Sequence, residues 1–167
     1  RLVYNGNTFT PISSLSDAIR KQTIVINGVS KTYAMTGWRV GFAVGDPEII
    51  SGMAKIISQT TSNLTAVSQY AAIEALTGDQ SSIEEMRQAF EERLNTIYPL
   101  LAEVPGFEVI KPQGAFYLFP NVKKAMEIKG YTNVNDFTNA ILEEAEVALV
   151  TGAGFGAPEN IRLSYAT

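Results

Sequence analysis

Apolar positions along this chain follow two periods, and the changes between them mark out its elements. Thr23 to Ile26 and Val40 to Val44 are short apolar runs bounded by glycines and polar residues, the pattern of buried strands. The stretch between them is too short for the crossover a parallel pair needs, so the two are predicted to run antiparallel if they pair. Ile49, Ile50, Met53, Ile56 and Ile57 then recur at helical spacing. Asp46-Pro47 in front of them is a helix start, with a carboxylate to cap free amides and proline at the first helical position. After a polar break at Gln59 to Asn63, a second helix is predicted from about Thr65 to Leu76, ending at Gly78. Its small apolar residues suit a buried core helix.

Ser82-Ile83-Glu84-Glu85 reads as a capping box opening the longest helix. Met86, Phe90, Leu94, Ile97 and Leu101 mark its inner face, Pro105-Gly106 its stop, and its charged residues a solvated face. From Phe107 the elements become shorter. Phe107 to Ile110 and Ala115 to Phe119 flank Lys111-Pro112-Gln113-Gly114 as a predicted hairpin, with Phe116 and Phe119 packing in a core. A helix over Asn135 to Ala145 carries Phe137, Ile141 and Leu142, and Val147 to Val150 is a further strand. Thr151-Gly152-Ala153-Gly154-Phe155-Gly156 fits neither the dinucleotide fingerprint nor a P-loop, so it is predicted to be a flexible connection. Ile161 to Ala166 alternates as a strand whose Arg162 interrupts apolar neighbours; by pattern alone, it is an edge-strand arginine facing solvent. Near the start, Tyr4-Asn5-Gly6-Asn7 is a turn, and a short helical stretch follows around Ser16 to Arg20.

Composition narrows the chemistry. The 167 residues are 46% hydrophobic and 18% charged, enough for a folded core. A net charge of −4 gives no reason to expect nucleic acid, whose binders usually carry a basic face. Without cysteine there is no disulfide or thiol chemistry, and without histidine no triad base or imidazole metal ligand. No continuous apolar run is long enough to span a membrane and no signal peptide opens the chain, which makes the cytoplasm the default setting. Arg1-Leu2-Val3-Tyr4 begins inside a strand-like run and the chain stops as a strand finishes, so a fragment of a longer protein is expected.

The candidate chemistry sits between the first two strands, from Asn27 to Gly41, where glycines and hydroxyls surround two cations, Lys31 and Arg39. An antiparallel pair brings both near one sheet end, within reach of a single anionic ligand. A partly desolvated lysine beside another cation loses its proton more easily than one in water, and so becomes a nucleophile toward carbonyls. Arg39 suits phosphate, because its planar fork grips two oxygens at once. An aldehyde and a phosphate on one ligand describe pyridoxal phosphate. Spacing alone leaves a solvated lysine and a surface arginine equally open.

Gly28-Val29-Ser30-Lys31 through Gly37-Trp38-Arg39-Val40-Gly41 resembles the lysine signature of class I/II pyridoxal-phosphate aminotransferases. The wording Ser-Lys-Thr-Tyr-Ala-Met-Thr-Gly-Trp-Arg is most similar to the bacterial aspartate aminotransferase branch. The resemblance implies an α/β fold: the end of the large cofactor-binding domain over residues 1–78, then an interdomain helix and a small C-terminal domain, incomplete at its end, over 79–167. It implies that Lys31 carries the cofactor as a Schiff base and that Arg39 holds its phosphate. Many relatives place a phosphate-binding serine where this chain has Gly28, and Ser30 is the candidate to supply a hydroxyl instead. Asn160-Ile161-Arg162-Leu163-Ser164 is similar to the family passage whose arginine clamps the substrate α-carboxylate, so Arg162 is the expected substrate-binding residue. The implied activity is transamination between an amino acid, aspartate first, and a 2-oxo acid such as 2-oxoglutarate, in a homodimer. The region of the second helix corresponds to the family's dimer contact. The fragment alone is expected to bind pyridoxal phosphate weakly and not to turn over. Two other readings of the same resemblance are another pyridoxal-phosphate enzyme, such as a C–S lyase, and a non-catalytic sensing domain of a regulator.

Overall fold

The computed structural model describes residues 2–166. They form two compact units, one over Thr8–Glu85 and one of Leu2–Asn7 with Met86 onward. Arg1, which opens the strand-like run at the start, lies outside the described residues.

In the first unit, α1 (Asp17–Lys21) is capped by Ser16, whose side chain accepts from the Ile19 N–H. β1 (Val25–Gly28) and β2 (Gly41–Val44) pair antiparallel as predicted, with Val25 opposite Val44 and Gly28 opposite Gly41. α2 (Pro47–Thr60) starts where the sequence places it: Asp46 Oδ1 accepts from the Glu48 N–H at 2.9 Å. α3 (Ala66–Thr77) is capped by Thr65. Gly78 closes it because of space: its N–H reaches the Glu74 carbonyl at 2.8 Å, and a Cβ would meet that oxygen. The expected core helix is one-sided. Only Ala72 of α3 is buried, against Val29 and Val40, while Val67, Tyr70, Ile73 and Leu76 are exposed. The apolar stripe of α2 likewise buries none of its residues.

The longest helix, α4 (Ser81–Ala102), begins one residue ahead of the predicted capping serine. Asp79 Oδ1 accepts from the Ser81 N–H at 3.1 Å, and its bonds to Ser81 hold its carboxyl below the usual carboxylate value. The helix absorbs Pro99 and stops before Pro105-Gly106. Gly106 is needed in the following turn, at φ +83° and where a Cβ would meet the Ala125 backbone nitrogen at 2.5 Å.

The predicted inner face of α4 is present in the second unit. Phe90 and Leu94 are buried with Tyr4, Leu118 and Tyr165, and Met86, Ile97 and Leu101 pack against them. The Tyr4 and Tyr165 hydroxyls both donate to the Ala115 carbonyl, the second at 3.3 Å. Burial pushes both above the ordinary tyrosine value.

The sheet of this unit is β3 (Tyr117–Leu118), β4 (Val150–Thr151) and β5 (Ile161–Ser164), in the order β3-β5-β4 and antiparallel throughout. Two expectations are corrected here. The 107–119 hairpin is not formed, and Glu108 bridges instead to Asn121, beyond the predicted second strand. The backbone around Gly114 bonds instead to the start of the chain, with Ala115 N–H on Leu2 O at 2.9 Å and Tyr4 N–H on Gln113 O at 3.0 Å. Tyr117 and Leu118 turn to Ser164 and Leu163, which makes the strand of Arg162 central and not an edge.

A short helix absent from the sequence reading, α5 (Lys123–Lys129), packs with α6 (Val134–Ala145) around Val122, Ala125, Met126, Val134, Phe137 and Ile161. Ile141 packs against this cluster, whereas Leu142 is exposed. The glycine-rich segment, predicted to be a flexible connection, contains a 3-10 turn, Gly152–Phe155, with the Gly152 N–H on Asn160 O at 2.7 Å. Among the described residues no helix is long and apolar enough to cross a membrane.

Candidate functional site

The loop from β1 to β2 carries the two cations, and its path is fixed by bonds at both ends. Where the strands part, the Val29 N–H reaches Val40 O at 3.3 Å, and both valines are buried under Ala72 of α3. Buried valines anchor the loop's base and leave the intervening polar residues outside. The chain then turns on the Tyr33 N–H to Val29 O bond, 3.2 Å, and the Tyr33 hydroxyl donates to Gln80 Oε1 at 3.2 Å. A 3-10 turn over Thr36–Trp38 follows, held by Ser68 Oγ donating to Trp38 O at 3.0 Å. Arg39 closes that turn at φ +54°, a left-handed backbone uncommon for a residue with a side chain. Its Nη1 donates to Thr36 O at 2.9 Å, so the guanidinium folds back over its own loop.

The outcome is a cavity of about 390 Å³ lined by Asn27, Gly28, Ser30, Lys31, Thr32, Arg39, Val40 and Gly41. That volume lies within the range of small-molecule sites. Lys31, Arg39 and Ser30 are thus gathered around one concavity, as the antiparallel spacing implies. The lysine differs from expectation in one respect: its side chain is exposed, not partly desolvated. Asn27 and Thr32 also reach the cavity, and only their place beside the two cations in sequence could have signalled it. Among the described residues no cluster of acidic side chains could hold a metal ion.

Arg162 belongs to the second unit and has its own surroundings there. Its guanidinium carbon lies 4.6 Å from the ring centroid of Tyr117 and 5.0 Å from that of Phe155. Among the described residues no carboxylate or carbonyl accepts from it. Phe116, expected in a core, does pack there, its ring 5.9 Å from that of Phe90. Phe119, expected with it, is instead 40% exposed and sits edge-on to Phe155 at 6.3 Å. Tyr117 lies in Pro112-Gln113-Gly114-Ala115-Phe116-Tyr117, similar to a family passage whose aromatics lie near the substrate cleft, whereas Phe155 had no signal, because a ring brought up by a turn has no fixed spacing from the arginine it meets.

The family described as aminotransferase class I and II matches residues 1–167. The chain is 78% identical over its full length to an asparagine–oxo-acid transaminase of Streptococcus mutans, covering 42% of that protein. It is 54% identical over its full length to an aspartate aminotransferase of Bacillus subtilis, again covering 42%. In structure it is similar to an aspartate aminotransferase from Rhizobium meliloti, with a TM-score of 0.89, 36% identity, and coverage of 99% of this chain and 43% of that one. The chain therefore spans about 42% of the length of the curated relatives it matches.

Proposed function

The chain belongs to the class I and II aminotransferases, and on that footing we propose that the protein carrying it moves an amino group between an amino acid and a 2-oxo acid, with pyridoxal 5'-phosphate as cofactor. The observation that carries this reading is the gathering of Lys31, Ser30 and Arg39 around one cavity. An amine, a hydroxyl and a guanidinium fit a ligand that bears both an aldehyde and a phosphate. When bound, the cofactor supplies an electron sink for bond breaking at the amino acid α-carbon.

The chain's own residues take four roles in this reading. Lys31 Nζ would hold the cofactor through its aldehyde carbon, and as a free amine the same nitrogen would take the amino acid's α-proton as base and return it as acid. Arg39 grips the phosphate, its reach set by the left-handed backbone and by the bond to Thr36 O. Ser30 adds a hydroxyl to the same group. Arg162 pairs bidentately with the substrate α-carboxylate. A homodimer is the proposed working form, supported by the apolar side chains that α2 and α3 leave exposed, and the cytoplasm is its proposed setting.

Aspartate with 2-oxoglutarate is the proposed substrate pair, supported by the aspartate aminotransferases among the relatives. A second reading, asparagine as the donor, is favoured by the 78% identical relative. Steady-state assays of the whole protein with each donor and 2-oxoglutarate test both. Glutamate formation from aspartate or asparagine is the expected result, and the donor with the higher kcat/KM decides between them. No transfer from either would overturn the proposal. The chain by itself is proposed to bind the cofactor weakly and not to turn over.

A further inference from the structure

Arg162 lies against two aromatic rings, and both rings are themselves braced. Tyr117 pairs with Ser164 on the neighbouring strand, so it shares a sheet face with Arg162 two positions earlier, a diagonal within reach of long side chains. Its ring lies 4.4 Å from that of Phe116, which stacks on Phe90 of α4. Phe155 comes from the 3-10 turn after β4 and is held edge-on by Phe119, at an interplanar angle of 83°. Phe155 is 56% exposed, so burial alone gives little reason for a ring there.

A guanidinium attracted to ring faces keeps its N–H donors, all of which lie in its own plane, available at the edge. None of those donors is taken by a carboxylate or carbonyl among the described residues. Resting on the reading that Arg162 binds the substrate α-carboxylate, we infer that Tyr117 and Phe155 are positioning residues, which fix the guanidinium plane so that its edge meets the carboxylate at two points. Neither ring touches the reacting atoms in this account. They act on how often the fork is correctly oriented, a uniform contribution to binding that shows in KM more than in kcat.

The test uses the whole protein with four variants, Tyr117→Leu, Phe155→Leu, Tyr117→Phe and Phe155→Tyr, and with Arg162→Lys as the reference. Each leucine variant is expected to raise the amino acid KM about tenfold, with kcat within about threefold of the unsubstituted enzyme. The ring-keeping variants are expected to stay within about twofold in both. Calorimetric titration with succinate, which carries carboxylates and no reactive amine, should show its Kd weakened in the leucine variants to a similar degree. Phe155 lies at the surface, so its replacement leaves the unit's core intact. If Arg162→Lys raises KM while the leucine variants bind like the unsubstituted enzyme, the positioning role is wrong and the carboxylate reading stands. If Arg162→Lys leaves KM and the succinate Kd unchanged, the carboxylate reading itself fails. Ring-keeping variants as impaired as the leucine ones would also overturn the inference.

Discussion

Gly28 and Gly41 stand opposite each other where β1 and β2 part, and a Cβ on Gly28 would come within 2.8 Å of the Val40 carbonyl oxygen. The obstacle is backbone, so it cannot swing aside as a flexible side chain would. That close approach sets the mouth of the loop that carries Lys31 and Arg39. Gly28→Ala is therefore predicted to cost about 1–3 kcal/mol of stability through overpacking. Gly28→Ser, which adds a hydroxyl to the same Cβ, meets the same obstacle. Gly41→Ala, whose Cβ would sit 3.4 Å from Asn27 O, is predicted to cost less. Thermal melts of the three variants check this, and a Gly28→Ala melt matching the unsubstituted protein would contradict it.

Arg39 is predicted to act on the phosphate alone. Arg39→Ala should weaken pyridoxal phosphate binding by roughly 10- to 100-fold, the value of a lost charge-assisted hydrogen bond or two. Binding of pyridoxal, which lacks the phosphate, should change by less than about twofold. Absorbance titrations with both compounds separate the outcomes. Equal losses for the two would mean that Arg39 shapes the loop and does not grip the anion.

The Tyr4 and Tyr165 hydroxyls share the Ala115 carbonyl in the core of the second unit. Burial raises both above the ordinary value of 10.0, with Tyr165 adding to the shift on Tyr4. The folded chain thus holds these protons more tightly than the unfolded chain does. Their contribution to stability is fully present below the unfolded value and is lost as pH rises through the native ones. Tyr4→Phe is predicted to lower stability at neutral pH by about 0.5–1.5 kcal/mol for the lost hydrogen bond. It should also flatten the fall in stability above pH of about 10. Denaturant melts across that range measure both, and parallel alkaline slopes for the two proteins would refute the claim.

Local signals in the sequence carried the first unit well. The Asp46-Pro47 start of α2, the start of α3 near Thr65 and the antiparallel pairing of β1 with β2 each depend on residues close together in the chain. The second unit was less legible because its pairings are long-range. Leu2 and Tyr4 occupy backbone groups around Gly114 that the predicted hairpin would have used, and Tyr117 crosses to Ser164. The burial of α3 was misjudged for a related reason: apolar composition shows what a helix could cover, not what covers it. At the site, spacing and resemblance together led to Lys31, Ser30 and Arg39, which do share one cavity, while the aromatic faces around Arg162 follow from sheet register, and that is fixed only in the fold.

One amine, Lys31 Nζ, is proposed to bond the cofactor. Borohydride reduction of the whole protein loaded with pyridoxal phosphate, followed by proteolysis and mass spectrometry, tests it most directly. The account predicts a stable pyridoxyl group on the peptide containing Lys31, and its loss in Lys31→Ala together with turnover. A pyridoxyl group on any other lysine, with Lys31 unlabelled, would contradict it.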